Sequence, residues 1–406
     1  VTATPAADDI ARVFREESGR CTATLVRVLG SIDLAEDAVQ EAFATAAQRW
    51  PVDGMPPNPG AWITTTARNR AIDRLRRESS RERRETEATA MTDPDDPPDH
   101  GPLPDDQLRL IFTCCHPALS TEAQLALTLR LIAGLQTPEI AHAFLVPEAT
   151  MAQRLVRAKK KIKATNLPYR VPDAAELPER LRPVLAVLYL IFTEGHRSSS
   201  SADLVRQDLC AEALRLSRLV CDLMPDEPEA VGLLALMLLT DARRATRVDD
   251  DGVLIALPDQ DRTRWDPEQI AEGHELVRRC LRRNQPGAYQ VQAAIQAVHT
   301  DAPTAAQTDW VQILALYDQL VPFAPTPVVQ LNRAVAVAEV RGPAEALHEV
   351  EILDLDGYVP FHAVRADLLR RLGRTAEAIE EYDRAVALAT ADPERRYLEQ
   401  RRADLG

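Results

Sequence analysis

Between residues 85 and 106 the chain carries eight carboxylates and no Lys or Arg, and prolines recur through the run. Like charges repel, prolines cannot donate a backbone hydrogen bond, and few large apolar side chains are present to bury. The segment therefore reads as an acidic, disordered linker, and whatever folds must fold on either side of it. Its flanks are opposite in charge. Residues 68–84 hold eight Arg against Asp73, Glu78 and Glu82, and residues 154–163 hold six basic residues, every Lys of the chain among them, with no acid. The net charge of −14 argues against bulk nucleic-acid binding, but the acidity is not evenly spread. Residues 1–165 contain 21 basic and 23 acidic residues, whereas residues 166–406 contain 27 and 39.

A chain of 406 residues exceeds one core at about 150 residues per domain. Aromatics make up only 4%, and the 29 Pro outnumber the 15 Gly, which fits short helices joined at Pro corners better than an aromatic-rich β-sandwich. An all-α, multi-domain protein is expected. No apolar run approaches the ~18 residues of a membrane span, and residues 1–9 lack the basic start and apolar core of a secretory signal. The expected location is the cytoplasm, with no membrane contact. Six scattered cysteines make no disulfide framework and read as buried thiols.

In the first module, Ile10, Val13, Phe14, Leu25, Val28 and Leu29 fall at helical spacing, and Gly30 followed by Ser31 and Asp33 closes one helix and caps the next. On the helix from Leu34 to Trp50, Asp37, Gln40 and Glu41 lie at i, i+3 and i+4, opposite Ala38, Val39, Phe43 and Ala46. The Pro-rich stretch from Pro51 to Pro59 ends that helix. A third helix, Trp62 to Arg84, has the seam Ile63, Ala67, Ile72 and Leu75, ringed by arginines.

The runs Ala35-Glu-Asp-Ala-Val-Gln-Glu-Ala-Phe43, Ala61-Trp62-Ile63 and Ala67-Arg-Asn-Arg-Ala-Ile-Asp-Arg-Leu-Arg-Arg77 resemble region 2 of the extracytoplasmic-function sigma factors, which direct bacterial RNA polymerase to promoters. The resemblance implies that Asp37, Gln40 and Glu41 dock on the clamp of the polymerase largest subunit. It implies that the loop from Val52 to Asn58 receives a base flipped from the minus-10 element. Trp62, Arg68, Asn69, Arg70, Arg74 and Arg77 would supply the aromatic surface and phosphate neutralisation that duplex opening needs. Taken alone, Trp62 fits a core position equally well.

In the second module, Leu108 to Cys114 and Glu122 to Ala133 read as helices, and Thr137 to Phe144 followed by Pro147 to Ile162 reads as a helix-turn-helix, with Pro138 and Pro147 at helix starts. Gly134-Leu-Gln-Thr-Pro-Glu-Ile-Ala141 and Thr150-Met-Ala-Gln-Arg-Leu-Val-Arg-Ala-Lys-Lys160 resemble sigma region 4, whose second helix enters the major groove of the minus-35 element. Leu145, Pro147 and Ala152 depart from the family pattern. Thr150, Gln153, Arg154 and Arg157 are the implied base or backbone contacts, with Lys159, Lys160, Lys161 and Lys163 neutralising phosphates. Cys114-Cys115-His116 has no partner pair at zinc-ligand spacing, so no metal or other cofactor is expected.

Residues 168–406 read as a degenerate helical array. Gly373-Arg-Thr-Ala-Glu-Ala-Ile-Glu-Glu-Tyr-Asp-Arg-Ala-Val-Ala387 resembles half a tetratricopeptide repeat, with Ala378, Tyr382 and Ala385 at packing positions and Ala346 preceding Ala378 at close to the ~34-residue period. Asp251-Gly252 between Val248 and Val253-Leu-Ile255 predicts a small β-hairpin, and the adjacent Arg243, Arg244, Asp261, Arg262 and Trp265, with Glu194 and His196, read as structural ion pairs in preference to a polar pocket. The whole layout resembles the sigma-factor subgroup with a tetratricopeptide-like C-terminal extension, in which that extension controls activity. The expected division is 1–84, linker 85–106, 107–167 and 168–406. The expected partners are the clamp and flap of core polymerase, promoter DNA, and a protein segment or the sigma modules themselves on the solenoid. A polymerase-independent helix-turn-helix regulator is the alternative. An enzyme is disfavoured, because the extension shows no nucleophile–base set or phosphate loop.

Overall fold

The computed structural model describes residues 7–85, 104–144, 146–173, 175–197 and 204–406. It divides into two compact units, residues 1–190 and 191–406, and the division falls inside one helix. The first unit thus runs beyond residue 167, where the sequence places the end of the second module.

Three helices, α1 (Ala7–Leu29), α2 (Ile32–Asp53) and α3 (Pro59–Glu85), enclose Leu25, Val39, Phe43, Trp50, Ile63 and Ala67. As expected, Gly30 (φ +65) ends α1, and the Ser31 hydroxyl accepts the Leu34 amide at 3.4 Å to start α2. Helix α2 does not stop at Pro51 but runs to Asp53, where Gly54 (φ +83) returns its amide to the Trp50 carbonyl. Pro51 sits in the last turn, where its missing N–H costs a single bond, and the fully buried Trp50 anchors that turn.

The acidic linker is shorter than expected at both ends. Glu85 ends α3, and Pro104–Cys114 form α4. Asp106, far from solvated, is buried and accepts Arg27 Nε at 2.9 Å. Residues 86–103 lie outside the described residues. Helix α5 (Thr121–Leu127) passes into a π-helical turn, Thr128–Ile132, which turns Arg130 toward α2. The helix-turn-helix forms as read: α6 (Thr137–Ala143) begins with Pro138 in its first turn, and α7 (Glu148–Ala164) follows Pro147.

The two modules touch directly. Tyr169, beyond α7, donates to the carbonyls of Ala23 at 2.8 Å and Asp106 at 3.2 Å, and Arg180 on α8 (Leu177–Arg197) donates to the Phe112 carbonyl at 2.9 Å. Helix α1 passes so close to the π turn that a Cβ at Gly19 would lie 2.4 Å from the Ile132 carbonyl oxygen.

The second unit is built around α10 (Pro228–Asp241), apolar on all sides and buried from Ala230 to Leu239. It packs among α9 (Leu204–Leu223), α11 (Pro267–Arg283) and α12 (Ala288–Asp301), with Gly232 fitted against Gln290. Glu229 accepts the amides of Tyr289 and Gln290 and so caps α12. Beyond lie α13 (Trp310–Leu320) and the helix pairs α14 (Pro327–Val340) with α15 (Pro343–Glu351) and α16 (Val359–Arg371) with α17 (Thr375–Leu388), followed by α18 (Asp392–Ala403). Ala346, Ala378, Tyr382 and Ala385 are buried, as the repeat pattern requires. The hairpin contracts to one antiparallel bridge, Val248–Leu254, around Gly252 (φ +75), and it is the β pairing found among the described residues.

Gly19→Ala must push α1 away from a backbone carbonyl, so it is expected to lose about 1–3 kcal/mol in chemical denaturation. Gly357, with open space around its Cβ position, is the control: Gly357→Ala leaves the midpoint unchanged. Equal effects from the two substitutions would contradict the close α1 packing.

Candidate functional site

Asp37 and Glu41 are exposed one turn apart on α2, with Gln40 half-buried beside them. Both acids face arginines of α3, at 3.6 Å from Asp37 to Arg74 and 3.7 Å from Glu41 to Arg70. Arg70 also donates to the Glu41 backbone carbonyl at 3.3 Å. The structure thus brings together two sets that the sequence reading assigned to different partners. All four side chains are about half exposed, so each pair contributes only ~0–1 kcal/mol and exchanges readily for a macromolecular partner.

Asn58 is the N-cap of α3: its side-chain oxygen accepts the Ala61 amide at 3.0 Å. Trp62 is half-buried and meets the buried Trp50 edge-to-face at 5.5 Å. It therefore has a core contact on one side and a solvent face on the other. Arg68 is half-buried, Asn69 exposed, and Arg77 lies on α3 with its side chain outside the described residues. On α3, Arg70 and Arg74 adjoin the acidic face of α2.

On α7, Met151, Leu155, Ala158 and Ile162 are the buried face. Thr150, Gln153, Arg157 and Lys160 are exposed at i, i+3, i+7 and i+10, one stripe opposite that core, with Arg154 at its margin. Lys161 reaches back to the Ala118 carbonyl. Lys159 is not in the stripe. It lies on the flank of the buried face, 2.7 Å from Asp33 and 3.1 Å from Glu36 of α2. Burial pushes its ammonium down, but the Asp33 and Glu36 carboxylates outweigh that and hold it above its ordinary value.

Glu36 is the residue that sequence reasoning missed. It accepts Arg130 Nε at 2.5 Å, Lys159 Nζ at 3.1 Å and Gln40 Nε2 at 3.2 Å, and is only 13% exposed. The partners lie 94 and 123 residues away along the chain, so nothing local marks them. The one available signal is the i, i+4 spacing that sets Glu36 beneath Gln40 on the face already singled out.

Cys114 and Cys115 are both buried; Cys115 meets the Thr128 hydroxyl at 3.5 Å, and His116 Nδ1 accepts the Ala118 amide. These are packing and turn-forming roles. In the second unit His196, Cys210 and Asp241 place their donor atoms within 4.8 Å of one another. Burial and then Arg247, Arg243 and Arg244 push the His196 imidazole down to about 2, burial pushes the Cys210 thiol up to about 12, and Asp241 is paired with Arg244. So cationic a setting does not suit a metal ion.

Among the described residues, no helix is long and apolar enough to cross a membrane. Comparison with known proteins fits this geometry. Residues 13–81 match the family model for Sigma-70 region 2, and residues 109–162 that for Sigma-70, region 4. Residues 180–281 match a family of unknown function (DUF6596). The chain is 44% identical over 383 residues to Uncharacterized protein R00370 of Rhizobium meliloti (strain 1021), covering 92% of this chain and 90% of that one. It is 28% identical over 173 residues to Probable ECF RNA polymerase sigma factor SigI of Mycobacterium tuberculosis (strain ATCC 25618 / H37Rv), covering 41% of this chain and 59% of the relative. No solved structure matches the chain. With both sigma modules present in order, and a helical region following them, the chain belongs to the extracytoplasmic-function (ECF) RNA polymerase sigma factors that carry a C-terminal extension.

Proposed function

We propose that this sigma factor binds bacterial core RNA polymerase through Asp37, Gln40 and Glu41, opens the minus-10 element with the α3 surface, and reads the minus-35 element with the exposed stripe of α7. The observation that carries the reading is that stripe. Thr150, Gln153, Arg157 and Lys160 present one polar, cationic face on a helix that follows a helix-turn-helix bend, the shape and chemistry a major groove accepts. The clamp of the largest subunit receives α2, and the flap receives the second module. The C-terminal extension regulates this engagement, with a protein segment or the sigma modules as its partner, in the cytoplasm where core polymerase resides.

The arrangement of the first unit is then the unengaged state. Minus-10 and minus-35 elements are separate stretches of the duplex, which rises about 3.4 Å per base pair. Helices α2 and α7 are joined through Glu36 and Lys159, so both modules reach their elements only after those contacts break. Glu36 acts as the latch.

Run-off transcription with core polymerase and the full chain is the deciding experiment. Specific transcripts, with a promoter footprint only when core is present, are expected. A footprint by the chain alone would favour the polymerase-independent regulator instead.

Charge reversal at Asp37 and Glu41 together is expected to weaken core binding at least about tenfold, because like charges then face the same surface. Co-elution with core at wild-type strength, with helical content unchanged, would refute the docking assignment. Replacing Arg154 and Arg157 with Ala should weaken initiation and reduce the slope of log binding against log salt by about 1–2. A salt series superimposable on the wild type removes both from the interface. Glu36→Gln should release α7 from α2 and expand the first unit in small-angle scattering, with about 5- to 30-fold tighter core binding for a latch of ~1–2 kcal/mol. An unchanged scattering profile with unchanged affinity would show that Glu36 is no latch.

A further inference from the structure

Four arginines gather where α10 ends; Asp241 faces Arg244 and Arg247, Glu394 faces Arg247, and Arg243 and Arg262 lack such a partner among the described residues. Asp241 pairs with Arg244 and takes a second bond from Gln269, so its two oxygens are committed. Arg247 donates to the His196 carbonyl at 2.6 Å. Arg243 and Arg262 have no carboxylate partner among the described residues. Their guanidinium carbons stand 5.9 and 4.8 Å from the ring centroid of the same indole, Trp265, which is itself buried and donates to the Thr246 hydroxyl at 3.0 Å. The sequence reading of this cluster as structural ion pairs therefore holds for Arg244 and fails for Arg243 and Arg262.

The hydrogen-bond acceptors of these two guanidiniums are neutral. Arg243 Nη2 donates to Gln296 Oε1 at 2.7 Å. Arg262 Nη1 donates to the carbonyls of His299 and Ala302, both at 2.6 Å, and its Nη2 to the Thr308 hydroxyl at 3.3 Å, while its buried Nε has no acceptor. Burial, then Arg247 and Arg262, push Arg243 down to about 10; burial, then Arg243 and Arg262, push His299 down to about 4. Both guanidiniums are partly covered, and neither meets a carboxylate among the described residues. Stacking on an indole offers each cation attraction of order 1–2 kcal/mol, but it does not neutralise either one.

We propose that Arg243 and Arg262, stacked on Trp265 and steadied by Gln296, bind a small oxyanion: the phosphate or carboxylate group of a small molecule. The fork of Arg243 suits such a group, since guanidinium donors match two oxygens of one oxyanion. Arg243 is only partly covered and so reaches solvent, whereas Arg262 is fixed by the end of α12. The extension of this sigma factor thereby carries a ligand site of its own, independent of how the sigma modules engage promoter DNA.

The test is direct binding to the full-length chain by calorimetry and thermal melting. Inorganic phosphate and acetate are the two probes, each compared with chloride at matched ionic strength so that general screening cancels. Saturable binding of one anion per chain, with a rise in melting temperature, is expected, and the tighter probe distinguishes a phosphate from a carboxylate ligand. Arg243→Gln should weaken that binding at least tenfold. Neither probe binding beyond the chloride control, or Arg243→Gln binding as the wild type does, overturns the site. Should Arg243→Gln not fold, Arg243→Lys decides: it keeps the charge and loses the fork, so weaker binding supports the site and wild-type binding overturns it.

Discussion

A carboxylate shared by three donors holds the sigma modules of this protein in one unit. Glu36 takes Arg130 from the π turn, Lys159 from α7 and Gln40 from its own helix, and it is largely shielded from water. Removing one partner from such a cluster leaves the others desolvated and uncompensated. The pairs Asp37–Arg74 and Glu41–Arg70 sit one turn along the same helix but in water, where an ion pair is nearly neutral in energy. Burial therefore separates two classes of charge on α2. The exposed pairs cost little to open, whereas Glu36 resists separation from Arg130 and Lys159.

The close approach of α1 to the second module works with that latch. Gly19 admits the Ile132 carbonyl where any Cβ would be obstructed, and Tyr169 and Asp106 bond across the same boundary. Asp106 shows how local context is overridden. It belongs by composition to the acidic tether, yet Arg27, 79 residues earlier, draws it into a buried pair and makes it the first turn of α4. The charge contrast that divides the sequence thus also supplies the groups that rejoin its halves.

What the sequence made legible is what repeats at short range. Apolar spacing located α1 to α7, Gly30 and Ser31 marked a real helix boundary, and Ala378, Tyr382 and Ala385 pack where the repeat pattern places them. The exposed stripe of α7 was likewise readable, because one helix face follows from its own numbering. Pairings across large separations were not. Lys159 belongs to a basic run, but its position on the helix turns it from Lys160 and Arg157 toward α2. The π turn was hidden for a related reason: Thr128 to Ile132 has ordinary helical composition, and the turn packs against α1, which is distant in sequence, and α4, which that composition does not mark.

The arginine cluster follows the opposite rule, since local sequence suggested compensation that the fold does not provide. Arg243 and Arg244 follow α10, and Arg262 bonds the carbonyls at the end of α12, so two helix C-termini face the cluster. Each contributes about half a negative charge, and only within its last turn. Once Asp241 has neutralised Arg244, those two ends offer about −1 in all. Arg243 and Arg262 alone carry two positive charges, and Arg247 adds to the same field. The helix ends are therefore strong enough to orient the guanidiniums and too weak to neutralise them. A site that fixes its donors with backbone carbonyls and leaves positive charge over can admit an anion without first breaking an ion pair.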